Sequence, residues 1–176
     1  MLKLTVTSCE LVDSVLQGEI ATARAVWEPV WASAGLELDS LSIDELFDLV
    51  WPGVVIAESS QEYGRAVELL RVYFDREQRA GEDMATSLTA RCMLAEFLGR
   101  TGNFAASAAE YKRVLSDAPA RERKAWARHV AYGIKELFGR LQAADRAAAT
   151  SGHTTPRPAQ GNDDDSKPPG ADNASN

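Results

Sequence analysis

The stretch QEYGRAVELLRVYF (61–74) can be laid on GNFAASAAEYKRVL (102–115) at a shift of 41 residues, and this match decides how the chain is read. Aromatic Tyr63 faces Phe104, small Ala66 faces Ser107, Leu70 faces Tyr111 and Phe74 faces Leu115. Large residues recurring at steps of three and four share one face of an α-helix. A small residue within that face lets a second helix approach closely. Self-similarity at a period of roughly 20 to 50 residues marks supersecondary units that stack on one another.

Working outward, the same spacing continues on both sides. Leu88, Cys92, Ala95 and Leu98 form one apolar stripe, Ala108, Tyr111 and Leu115 a second, and Trp126, Val130, Ile134, Leu137 and Leu141 a third. Each stripe needs a neighbouring helix to cover it. Ser42-Ile43-Asp44-Glu45 and Ser59-Ser60-Gln61-Glu62 both have the capping-box pattern that opens a helix. Gly81 and Gly102 are placed to close helices, with Asp83 and Asn103 as the caps that follow. Pro52-Gly53 is expected to end or sharply bend the helix begun at Ser42, and Pro29 to bend or split a segment near 19–34 that follows one near 8–17. Leu2, Leu4 and Val6 alternate like a strand, but only Val54-Val55-Ile56 offers a partner, so an extended arm is expected.

The expected fold class is all-α: short antiparallel helical hairpins in a right-handed stack or bundle. It divides into an N-terminal helical segment (1–58), helical hairpins with a capping helix (59–149) and an acidic tail (150–176). The tail has no aromatic residue and four prolines, too little apolar surface to offset chain entropy, so it is expected to be disordered. The opening MLKLTVTSCE has no continuous apolar stretch, which implies a cytoplasmic protein without a membrane span. Cys9 and Cys92 lack the spacing of a metal knuckle or redox pair, and are expected to be free, buried thiols. Charge is uneven within a net −7. Residues 1–62 hold eleven acids against two bases, and residues 63–149 fifteen bases against eleven acids. That asymmetry reads as solvated helix faces, with pairing of the two halves or orientation of a partner as the alternatives.

The segment MATSLTARCMLAEFLGRTGNFAASAAEYKRVLSDAP (84–119) resembles one tetratricopeptide repeat, and the resemblance extends over about 59–141. Leu94, Ala95, Leu98, Gly102, Phe104, Tyr111 and Pro119 fall at that family's positions. Arg91, Ser107 and Val114 depart from it, which implies looser helix packing. The alanine- and arginine-rich wording is also similar to repeat arrays of high-GC bacteria. The resemblance implies an adaptor or regulator that holds a peptide or protein partner on a concave surface built from the first helix of each hairpin. By position, that surface includes Thr89, Cys92, Glu96, Arg100 and His129. Each also has a purely structural use: Cys92 in the core, Glu96 with Arg100 as an intrahelical pair.

Other classes have less support. No metal-ligand spacing and no glycine-rich phosphate loop is present, so neither metal nor cofactor is expected, and no catalytic residue stands out. The acids Asp44, Glu45 and Asp48 suit a helix N-terminus, and a hydrolase built on paired carboxylates is the weaker reading. Arg121, Arg123, Lys124 and Arg128, interleaved with Trp126 and His129, make a nucleic-acid-associated regulator the alternative. Trp27, Trp31 and Trp51 read as buried packing, or as an interface if exposed.

Overall fold

The computed structural model describes residues 7–35, 37–80 and 86–151. Every described element is helical: α1 (Ser8–Leu16), α2 (Ile20–Ala34), a 3-10 turn (Leu38–Ser40), α3 (Ile43–Ser59), α4 (Tyr63–Ala80), α5 (Thr86–Arg100), α6 (Phe104–Asp117) and α7 (Arg123–Ser151). The extended arm expected around Leu2, Leu4 and Val6, the stop at Gly81, the cap at Asp83 and the tail beyond Ser151 lie outside the described residues. Val54, Val55 and Ile56 lie within α3.

Local chemistry explains most helix boundaries. Ser42 and Glu45 form the expected capping box, with the Ser42 N–H donating to Glu45 Oε2 at 2.8 Å. Thr7 and Glu10 form a second one that sequence reading passed over. Asn103 caps α6 by accepting from the Ala106 N–H. The box read at Ser59–Glu62 does not form, because Ser59 is still the last residue of α3 and α4 begins only at Tyr63.

What joins α3 to α4 is a turn that recurs three times. The Glu19, Glu62 and Asn103 N–H groups each donate five residues back, to the Ser14, Ala57 and Leu98 carbonyls, at 2.9, 2.8 and 2.8 Å. The preceding residue, Gly18, Gln61 or Gly102, has φ of 87°, 60° or 83° and donates three residues back. This is the helix-ending Schellman arrangement, which requires a left-handed residue at its centre. After each turn the registers coincide. Ile20, Tyr63 and Phe104 start the next helix, Ala23, Ala66 and Ser107 are buried small residues, and Trp27, Leu70 and Tyr111 are buried large ones. The match at a shift of 41 is thus accompanied by a third unit, at 18–31, that sequence comparison missed.

Within each of the pairs α1–α2, α3–α4 and α5–α6 the helices pack on each other, and the chain continues α4 on α5 and α6 on α7. Helix α1 also reaches α3, and α5 reaches α7. Two cores result. The larger joins α1 to α5 around Trp27, Leu46, Val50, Leu70, Tyr73 and Phe97. The smaller lies among α5, α6 and α7 around Leu88, Cys92, Tyr111, Val114 and Val130.

Neither proline breaks its helix. Helix α2 runs through Pro29, and α3 runs 17 residues through Pro52-Gly53. An interior proline costs about 3 kcal/mol, but Pro52 and Gly53 are themselves buried, between Leu46, Leu49 and Val50 on one side and Val54, Ile56 and Ala57 on the other. Burying that face offsets the lost backbone bond. The Trp27 indole N–H, donating to the Leu49 carbonyl at 2.7 Å, adds a bond within the same turn.

The three departures from the repeat pattern are each accommodated. Ser107 is fully buried and its hydroxyl donates to the Ala95 carbonyl at 2.6 Å; Val114 is fully buried. Arg91 donates to Glu77 at 2.9 Å, lies 3.5 Å from Glu110 and stacks on the Phe74 ring at 4.4 Å. The acidic and basic halves meet in part: Arg65 bonds Glu28 at 3.0 Å while lying over the Trp27 ring, and Arg79 bonds Asp39 at 3.1 Å; within the acidic half, Arg24 bonds Glu62 at 2.7 Å. Trp27 is buried and stacks on half-buried Trp31, while half-buried Trp51 stacks on Phe47. Cys92 is buried as expected; Cys9 is exposed, because it falls on the solvent side of α1 away from Leu11 and Val15.

Candidate functional site

Thr89, Cys92, Met93, Glu96 and Arg100 recur at steps of three and four on α5, so one face of that helix carries them all. His129, Tyr132, Gly133, Glu136 and Arg140 do the same on α7. The two faces look at one another across a cleft of about 290 Å³, floored by Ser107 and Tyr111 of α6. Thr89, Cys92, Glu96, Arg100 and His129 therefore line a single concavity. Sequence reading took Tyr111 for core alone and passed over Tyr132, Glu136 and Arg140. Their steps from His129 were the available signal.

The walls differ in how fully their polar groups are used. Arg100 is committed: two of its nitrogens donate to Glu96 Oε1 at 3.0 and 2.6 Å, a third donates to the Tyr63 hydroxyl at 2.6 Å, and its guanidinium lies 4.7 Å over the Tyr63 ring. On α7, His129 meets Trp126 edge-on, and among the described residues Glu136 and Arg140 form no ion pair within 4 Å. Burial pushes the Cys92 thiol up to about 11. It pushes the Tyr111 phenol up to about 12, with the negative charge of Glu96 adding to the effect. Both stay protonated at neutral pH, so Cys92 is a poor nucleophile and Tyr111 a hydrogen-bond donor.

Glu58, at the end of α3, feels the same wall. Burial raises its carboxyl above the ordinary 4.5, Glu96 raises it further and Arg100 opposes them. A raised folded-state value means that this group costs nothing while protonated and lowers stability as pH rises through the raised value. Glu58→Gln should match the native chain in urea titrations near roughly pH 4 and exceed its stability near neutrality. A difference independent of pH would exclude this origin.

Three other features complete the surface. A second cleft, of about 670 Å³, lies on the α4–α6 side and is lined by Arg71, Asp75, Gln78, Arg113 and Asp117 above the Arg91–Glu110 pair. The basic residues Arg121, Arg123, Lys124 and Arg128 are all exposed, and Arg121 pairs with Glu122 at 3.1 Å. Glu45 caps α3, and the Ser42 backbone N–H and hydroxyl, both donating to its carboxylate, hold that carboxyl below the usual range, while Asp44 and Asp48 are exposed on the same helix. Among the described residues, no group of three His, Cys, Asp or Glu is placed to hold a metal ion, and no helix is long and apolar enough to cross a membrane. No family model matches the chain, and no curated protein or solved structure matches it.

Proposed function

We propose that this protein is a tetratricopeptide-like adaptor or regulator whose α5–α7 cleft holds a peptide or protein partner. One observation carries the reading: five positions that the family resemblance implies, four on α5 and one on α7, line the same concavity although α6 separates them in the chain. The three equivalent turns, each followed by a small and then a large buried residue, support a repeat architecture of this kind. The cleft is mostly apolar with a few convergent polar groups, as peptide-binding grooves are. A cytoplasmic setting belongs to the same reading.

The test is an affinity capture from extract of the source cells with the full chain immobilised, at low and moderate salt, alongside Thr89→Trp. Thr89 is exposed at the cleft mouth, so a bulky ring there blocks entry without entering the core. A discrete protein retained by the native chain at moderate salt and lost from the variant supports the cleft; equal retention by both removes it. The exposed basic residues at the start of α7 favour a second reading, nucleic-acid association. Recovery of nucleic acid that declines steeply with salt would move the assignment there.

A further inference from the structure

The cleft floor carries a donor that bonds no described residue of the chain. Tyr111 is 4% exposed, and among the described residues its hydroxyl makes no hydrogen bond. The phenol sits directly over the Gly133 backbone of α7, where an added Cβ would lie 2.3 Å from the hydroxyl oxygen. Only glycine leaves this space. The chain accepts a helix-weakening glycine here, and the hydroxyl keeps solvent contact on the cleft side.

A second open donor lies close by. Arg140, two turns of α7 beyond Gly133, lines the same cleft and forms no ion pair within 4 Å among the described residues, and its charge is felt at the phenol. The remaining charges facing the cleft are Glu96, already held by Arg100, and Glu136, one turn before Arg140. We infer that the cleft anchors a glutamate side chain of its partner, the carboxylate accepting from the Tyr111 hydroxyl and from Arg140, with a basic residue of the same segment meeting Glu136. The inference rests on the peptide-binding reading of the cleft. The glutamate stem matches the apolar lining of Cys92, Met93 and Leu137, and the protonated floor adds no negative charge to repel it. The basic neighbour is required because an acid alone would face Glu136 uncompensated.

The probe is a random dodecapeptide display library selected on the immobilised full chain. Selected sequences should share one glutamate with a Lys or Arg within four residues of it. A synthetic copy of the leading sequence should lose roughly tenfold or more in affinity on Tyr111→Phe, on Arg140→Glu, and when its own glutamate is replaced by glutamine. Tyr111→Phe removes one oxygen that bonds no described residue, so its melting temperature should match that of the native chain, which separates lost binding from lost fold. Selected peptides without an acid, or peptides bound equally by both variants, overturn the glutamate anchor while leaving a peptide cleft in place if Thr89→Trp still blocks them. Selection of no sequence at all overturns both.

Discussion

Gly53→Ala will destabilise the protein by about 2–4 kcal/mol, although alanine is the better helix former by about 1 kcal/mol. The new Cβ would stand 2.2 Å from the Trp27 ring and 2.6 Å from two further ring atoms. That ring cannot simply yield. It is 1% exposed, stacked on Trp31 at 5.5 Å and tied to the Leu49 carbonyl. Moving it either breaks a buried hydrogen bond or forces α2 away from α3, and overpacking of this kind costs about 1–3 kcal/mol before the bond is counted. Gly139→Ala is the matched control, since it lies in α7 with nothing within 4 Å of an added Cβ. That variant should gain roughly 0.5–1 kcal/mol. Urea unfolding of both measures the contrast; a Gly53→Ala chain as stable as the control would mean that the indole has room that the packing denies it.

Arg91→Met carries an expected loss of similar or larger size, about 3–5 kcal/mol at neutral pH. The side chains of Glu77 and Glu110 are 5% and 13% exposed, and Arg91 is the cation that reaches both. Removing it takes the shared cation from two largely buried carboxylates, leaves Glu110 with the exposed Arg113 at 3.0 Å, and also ends the stacking on Phe74. The loss comes from the charges left behind rather than from the value of the pair. The triple variant Arg91→Met, Glu77→Met, Glu110→Leu should therefore recover most of it, or exceed the native chain. A single variant no less stable than the native chain, or a triple variant as unstable as the single, would contradict this account.

The all-helical organisation was legible in the sequence because local signals carry it. Ser42 with Glu45, Asn103, and Gly102 at its left-handed turn each fix a boundary through groups at most a few residues apart. The failures share a cause as well. Ser59 and Glu62 have the spacing of a capping box, but that spacing does not reveal whether the previous helix has ended, and the turn centred on Gln61 places the start three residues later than a cap at Ser59 would. Pro52 looked like a stop because its benefit, a buried ring in a face packed on Trp27, comes from a helix 22 or more residues away. Gly18, Ile20, Ala23 and Trp27 escaped comparison with the later units because an indole stands where they have leucine and tyrosine.

The cleft was half legible for a related reason. Its α5 wall lies along one helix, and Thr89, Cys92, Glu96 and Arg100 were named there as what the family resemblance implies by position. Its floor was hidden, since a tyrosine in an apolar stripe reads as core whether or not its hydroxyl finds a partner. Arg91 stood out as an exception in an apolar position, but the residues that explain it, Glu77 and Glu110, are 14 and 19 positions away, and no local pattern links them.

The small second core has a consequence for how the cleft is maintained. Helix α7 is about 43 Å long, yet the residues by which it is fully buried are Val130 and Leu137. An element held by so few anchors is among the first to open when the fold fluctuates. Because α7 is also one wall, the concavity exists only while that helix is docked, and any occupant must add its own binding energy to the docking equilibrium. Amide hydrogens along α7 would then exchange more slowly in the presence of an occupant, and the rate of that exchange would serve as a meter of how full the cleft is.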